Sequence, residues 1–153
     1  MAYNHIDNED PVTACPFCDI ASGNASAVIV WEDSHIVAFL DNRPIRRGHC
    51  LIIPRRHFEY FDDVPAGLAA RIMELGQRLA RKMKAVYRVE RVAFLYAGSG
   101  VPHAHAHVFP MHENMDVTSA RYILSPGNPE FGSSHLKEDM DRLLTVGSEI
   151  RID

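Results

Sequence analysis

Three imidazoles stand at alternate positions, His103, His105 and His107, in the run His103-Ala104-His105-Ala106-His107-Val108-Phe109-Pro110. In an extended strand, side chains alternate between faces and rise about 3.3 Å per residue, so the rings would form a row on one face, about 6.6 Å apart. Ala104, Ala106 and Val108 would then point the other way, into a core. An imidazole with a pKa near about 6.5 keeps a large neutral fraction at neutral pH, which suits nucleophilic attack on phosphorus. The phosphoramidate so formed is labile, and water can complete a two-step cleavage of an activated phosphate ester or amide. An imidazole two positions away can bind the phosphate or handle the leaving-group proton. Two other readings stand beside this one: a row of satisfied structural histidines, and three ligands to one catalytic zinc. The zinc reading strains the geometry, since the outer members of such a row lie about 13 Å apart at the backbone.

Cys15-Pro16-Phe17-Cys18 places two thiols where one cation can take both, and zinc favours four sulfur or nitrogen ligands in a tetrahedron. His57, which follows Pro54-Arg55-Arg56, and His103 could complete a Cys₂His₂ site that staples the N-terminal segment to the histidine strand. A redox pair and two inert buried thiols are the alternatives. Arg43, Arg46, Arg47, Arg55 and Arg56 crowd one short segment and together could draw a small phosphorylated ligand, whereas singly each suits a solvated loop.

The elements that would carry these residues follow from periodicity. Residues 1–14 are polar and aperiodic and read as a flexible arm, with a single domain over 15–153. Cys15 to Gly23 reads as a turn and short helix ended by glycine. Val28 to Trp31 and His35 to Leu40 form a hairpin, and His49 to Ile53 is a strand closed by Pro54. Asp62 or Asp63 can cap the longest helix, with Pro65 in its first turn and Leu68, Ile72, Leu75, Leu79, Met83 and Val86 along its buried stripe. Val92 to Tyr96, a glycine-bearing loop and the histidine strand make an antiparallel pair. Ser133 or Ser134 can cap a last helix that buries Leu136, Met140, Leu143 and Leu144. The sum is an α+β domain, an antiparallel sheet of about five strands with one long helix and short flanking helices, the helices packed on one face.

Composition narrows the class. A chain of 153 residues, 46% hydrophobic and 24% charged, supports one domain with a real core and holds no apolar run approaching the length of a membrane span. The formal net charge of −4 argues against nucleic-acid binding. Three cysteines do not suggest a disulfide framework, and the polar, acidic N-terminus is neither a secretory signal nor a transit peptide, which makes the cytoplasm the default location.

Taken together, these blocks resemble the histidine triad (HIT) family, whose signature His-φ-His-φ-His-φ-φ, with φ apolar, is matched at every position by residues 103–109. Cys15 to Ile20, Trp31-Glu32-Asp33, Ala38 to Asp41 and Gly48 to His57 are similar to the family's other blocks, in its order. The resemblance implies a nucleophile at His105, a phosphate contact at His107, and His49 beside the active site orienting the triad. It implies one structural zinc per chain on Cys15, Cys18, His57 and His103. Asp41 and Asn42 match ribose-binding positions; Phe17, Ile20 and Phe39 fall where the nucleobase pocket lies, though ordinary core would account for them equally. The family's loop before the triad is longer than Leu95 to Gly100, which puts Ser99 where a glutamine would stand; Ser99 and the amides of Gly98 to Gly100 could donate to phosphate. The tail after Met111 has no counterpart in the family pattern and is expected to shape specificity. Because the transferase branch tends to carry glutamine at the third triad position, His107 favours hydrolysis.

The expectation is a cytoplasmic nucleotide hydrolase or nucleotidyl-transfer enzyme, acting at an α-phosphate through a nucleotidyl-His105 intermediate and releasing a nucleoside monophosphate. It would form a homodimer and have no nucleic-acid or membrane partner. A nucleotide-binding or scaffold protein with little turnover, and a three-histidine metallohydrolase, are the alternatives.

Overall fold

Alternation decides which side chains meet. In β2 (Ile36–Leu40) and β3 (Cys50–Pro54) every residue is buried. Ile36, Ala38, Leu40, Cys50 and Ile52 enter one core cluster, while Val37, Phe39, Leu51 and Ile53 enter a second. Continuous apolar runs of this kind belong to strands covered on both faces. The computed structural model describes residues 15–97, 100–117 and 134–152, so the expected flexible arm and Ser99 lie outside the described residues. β1 (Ile29–Glu32), β2, β3, β4 (Arg91–Tyr96) and β5 (Ala106–Met111) form one antiparallel sheet in the order β1-β2-β3-β5-β4.

The long helix α2 (Ala66–Tyr87) and the last helix α3 (Met140–Ile150) cover one face, and the short α1 (Pro16–Ser22) packs against the other, so the helices do not all share a face. Ile72, Leu75, Leu79 and Met83 of α2 recur at helical spacing and are buried against Ala104, Ala106 and Val108 in the larger core. Each such aliphatic side chain stabilises the fold by about 1.5–3 kcal/mol relative to exposure. Leu68 packs at the edge of this core, and Val86 is 36% exposed in the final turn.

Several expected boundaries move. Asp62 and Asp63 do not cap α2; they sit in a separate 3₁₀ turn, Phe61–Asp63. Val64, next to Pro65, is extended, as the residue before a proline prefers, and the helix restarts from Pro65. Asp139 caps α3 by accepting from the Arg142 N–H at 2.8 Å, while Ser134 opens a separate 3₁₀ turn and Ser133 is outside the described residues. From that start the buried face is Leu143, Val146, Gly147 and Ile150, leaving Met140 and Leu144 exposed. Gly23 ends α1 with φ of 79°, and Gly48 enters β3 with φ of 88° beneath the Tyr87 ring, where a Cβ would lie 2.5 Å from the nearest ring atom.

The histidine strand is shorter than alternation alone predicts. β5 pairs with β3 from Cys50↔Val108 to Ile52↔Ala106 and begins at Ala106. Pro54 has no N–H for the ladder. Its carbonyl is taken by the His103 ring at 2.9 Å, and the Ala104 N–H donates instead to the Phe58 carbonyl at 2.6 Å. No helix among the described residues is long and apolar enough to cross a membrane.

Candidate active site and metal centre

Cys15 immediately precedes α1 and Cys18 lies one helical turn on, which brings both thiols to one side. They face two imidazoles. Cys15 Sγ is 3.4 Å from His103 Nδ1, and Cys18 Sγ is 3.5 Å from the same atom and 3.3 Å from His57 Nδ1. All four ligand atoms lie within 4.8 Å of one another. A tetrahedral zinc with Zn–S of about 2.3 Å and Zn–N of about 2.0–2.1 Å needs ligand separations of about 3.3–3.8 Å, which these residues fit. His103 donates its Nε2–H to the Pro54 carbonyl, leaving the Nδ1 lone pair for the cluster. Burial, reinforced by Cys15, pushes the Cys18 thiol up to about 11, so a cation is what would draw its sulfur into the thiolate form.

His105 uses its ring differently. Its Nδ1–H donates to the His103 carbonyl at 2.6 Å, so Nε2 keeps the lone pair. The ring is 8% exposed, packed 5.2 Å from Phe17 and 5.0 Å from His107 between centroids. The described contacts of His107 and His49 assign one consistent set of protons. The Ile45 N–H donates to His49 Nδ1 at 3.1 Å, His49 Nε2–H donates to His107 Nδ1 at 2.9 Å, and His107 Nε2–H donates to the Ala97 carbonyl at 2.7 Å. Burial, with the neighbouring imidazoles, holds His49 well below the usual histidine range and His107 down to about 4. Both rings are therefore neutral near pH 7. Asp41 Oδ2 approaches His49 Nδ1 to 3.5 Å, but Nδ1 already accepts from Ile45 and burial raises Asp41, so the contact is not an ion pair.

His105 and His107 open onto a cleft of about 810 Å³ on the sheet face that α1 partly covers. Asp41, Asn42, Phe17, Ile20 and Phe39 all line it with His105 and His107, whereas His49 lies behind His107, packed on Phe109. The three triad rings do not converge on a point. His103 faces the cysteines while His105 and His107 face the cleft, so one row of alternate residues serves both a metal cluster and a cleft.

The arginine cluster resolves into separate ties. Arg46 pairs with Asp116, Arg47 with Glu149, and Arg55 joins the Ala21 and Asp33 carbonyls to Glu32. Arg56 lies over the Phe58 ring, and Arg43 lines the cleft. No single phosphate-collecting patch forms from the five, because the sheet places their partners on different elements. Sequence reasoning missed the Ala97 carbonyl and the Ile45 N–H, backbone groups that carry no residue signature. It also missed Met140 and Val117 on the cleft wall.

The HIT domain family model matches residues 22–114. A HIT-like protein of Methanocaldococcus jannaschii is 33% identical over 103 residues, covering 65% of this chain and 80% of its own length. The adenosine 5'-monophosphoramidase of Saccharomyces cerevisiae is 34% identical over 101 residues, covering 65% of this chain and 64% of its own. Among solved structures, a zinc-bound histidine triad family protein of Mycobacterium smegmatis superposes with a TM-score of 0.69 at 29% identity, covering 90% of this chain and 91% of that one.

Proposed function

The chain belongs to the HIT domain family, and from that premise we propose that it hydrolyses nucleoside phosphoramidates or dinucleoside polyphosphates at the α-phosphate, through a nucleotidyl-His105 intermediate. The observation that carries this reading is the tautomer of His105: Nδ1–H held by the His103 carbonyl, with the Nε2 lone pair left for the cleft. Nε2 attacks the α-phosphorus, and the P–N or P–O bond breaks with its electron pair on the leaving group, which takes up a proton. The His103 carbonyl stabilises the imidazolium character that develops on the ring. His107 exchanges the Ala97 carbonyl for a phosphate oxygen. Water then adds to phosphorus and gives up one proton to solvent, and the P–Nε2 bond breaks, which returns the pair to imidazole and releases the monophosphate. Asp41 and Asn42 take the ribose, Phe17, Ile20 and Phe39 the base, and Ser99 and the neighbouring amides a phosphate oxygen.

Cys15, Cys18, His57 and His103 would hold one structural zinc, which supplies a cross-link between α1 and the segment whose carbonyl orients His105. The same reading carries a two-fold dimer, visible in sedimentation as a particle of twice 17.2 kDa, working in the cytoplasm, where thiols stay reduced. The test is turnover of adenosine 5'-phosphoramidate: His105→Ala lowers kcat by at least about 1,000-fold with the protein folded. Equal turnover in the variant rules the reading out, and nucleotide binding without turnover in the parent supports a scaffold instead.

A further inference from the structure

The tautomer of His49 is chosen by one backbone amide, Ile45 N–H, on the loop between β2 and β3. Along that loop, Asn42, Arg43 and Arg47 are exposed. Ile45 itself is buried with Ala93 and Phe109, and the polar part of the loop must also be held for its amide to stay at hydrogen-bond distance from a ring that is 1% exposed. The next residue, Arg46, holds it from both ends. Its carbonyl accepts the His49 N–H at 3.0 Å, and its guanidinium reaches Asp116, seventy positions away, through Nε at 2.8 Å and Nη2 at 2.7 Å. Asp116 is 2% exposed. Both guanidinium bonds go to its Oδ1, and its Oδ2 accepts the His112 and Glu113 N–H groups at 2.8 and 3.0 Å just beyond β5. The carboxylate thus pins the loop to the end of the strand that carries His107. A second side-chain tie, Arg47 with Glu149, is on the surface, where such pairs contribute little. The same holds for Glu113, 3.4 Å from Arg46 and mostly exposed.

We propose that Asp116, acting through Arg46, is a positioning residue for the reaction: it holds the Asp41–Gly48 loop so that Ile45 N–H selects the His49 tautomer that donates to His107. The chain of bonds runs Asp116, Arg46, Ile45, His49, His107 and ends at the cleft beside His105. Its effect on rate rests on the hydrolase reading; its effect on the His49 ring does not. Without the tie, His49 is free to carry its proton on Nδ1, towards Asp41. His107 then loses its donor.

The experiment compares the full-length parent with Asp116→Asn, Arg46→Met and Arg46→Lys. Ring ¹⁵N shifts of His49, identified by their absence in His49→Gln, are read alongside kcat and KM for adenosine 5'-phosphoramidate, with zinc content and circular dichroism as checks of folding. In the parent, Nε2 of His49 is the protonated nitrogen. Asp116→Asn and Arg46→Met give mixed tautomers and a kcat about 10–100-fold lower, with KM within about threefold and zinc retained. Arg46→Lys, which keeps the charge, recovers part of both effects. A folded variant with the parent's His49 shifts and kcat overturns the proposal. If the parent itself does not turn over the phosphoramidate, the hydrolase reading fails while the ring shifts still decide the role of Asp116. If Asp116→Asn does not fold, the two Arg46 variants decide it.

Discussion

His105 differs from its triad neighbours by where its protons and lone pair go. His103 gives Nδ1 to the cysteine cluster, His107 accepts at Nδ1 from His49, and His105 alone of the three presents Nε2 as an unprotonated nitrogen. The neutrality of His107 has a consequence for acid stability. In the unfolded chain its imidazole takes up a proton below about 6.5, but in the fold burial and His105 delay this to about 4. The unfolded state therefore binds more protons between those values, and the contribution of His107 is fully present above about 6.5 and lost as pH falls through the window. Thermal unfolding followed from pH 7 to about 4.5 should show a shallower fall in Tm for His107→Gln than for the parent. Equal slopes would mean that His107 already titrates like a solvated imidazole.

At the scale of elements, α1 is a short helix with a large assignment, since Cys15 and Cys18 bracket its first turn and Phe17 and Ile20 line the cleft. Cys15→Ser should lower bound zinc from about one per chain to a small fraction and lower Tm on the order of 5–10 °C, with His105→Ala as a control that keeps its metal. Full metal content in Cys15→Ser would remove the tetrad. These elements were largely legible in the sequence, because the apolar stripe of α2, the runs of β2 and β3 and the glycine after α1 each answer to local periodicity or a turn requirement. What periodicity could not show is where pairing stops. The start of β5 depends on Pro54 lacking a donor across the sheet, and the capping of α2 depends on Val64 being extended before Pro65. In α3 Leu143 is buried as expected, but its partners on that face are Val146, Gly147 and Ile150, and Met140 and Leu144 are exposed. The arginine segment misled for a related reason: nearness in sequence says nothing of partners such as Asp116 and Glu149, about seventy and one hundred positions away.

Over the whole molecule the sheet separates two tasks. The face beneath α2 and α3 holds the larger core, with Ala104, Ala106 and Val108, and the opposite face holds the cleft, the cysteine cluster and the rings of His105 and His107. The alternation in residues 103–108 is the seam between them. Residues beyond the family match, Asp116 and α3 among them, tie into the loop that serves His49 and the wall of the cleft. The different tasks of the three rings were expected from the sequence, with His103 set apart with the cysteines, but the backbone carbonyls of His103, Pro54 and Ala97 that orient the rings carry no residue signature and were not. The covalent intermediate on His105 is the step that sets this chemistry apart from binding alone. Intact-mass and peptide analysis of the protein, quenched in alkaline denaturant during turnover of adenosine 5'-phosphoramidate, should show one adenylyl group per chain on the peptide bearing His105 and none in His105→Ala. Turnover with no adduct, or an adduct on another residue, would contradict it.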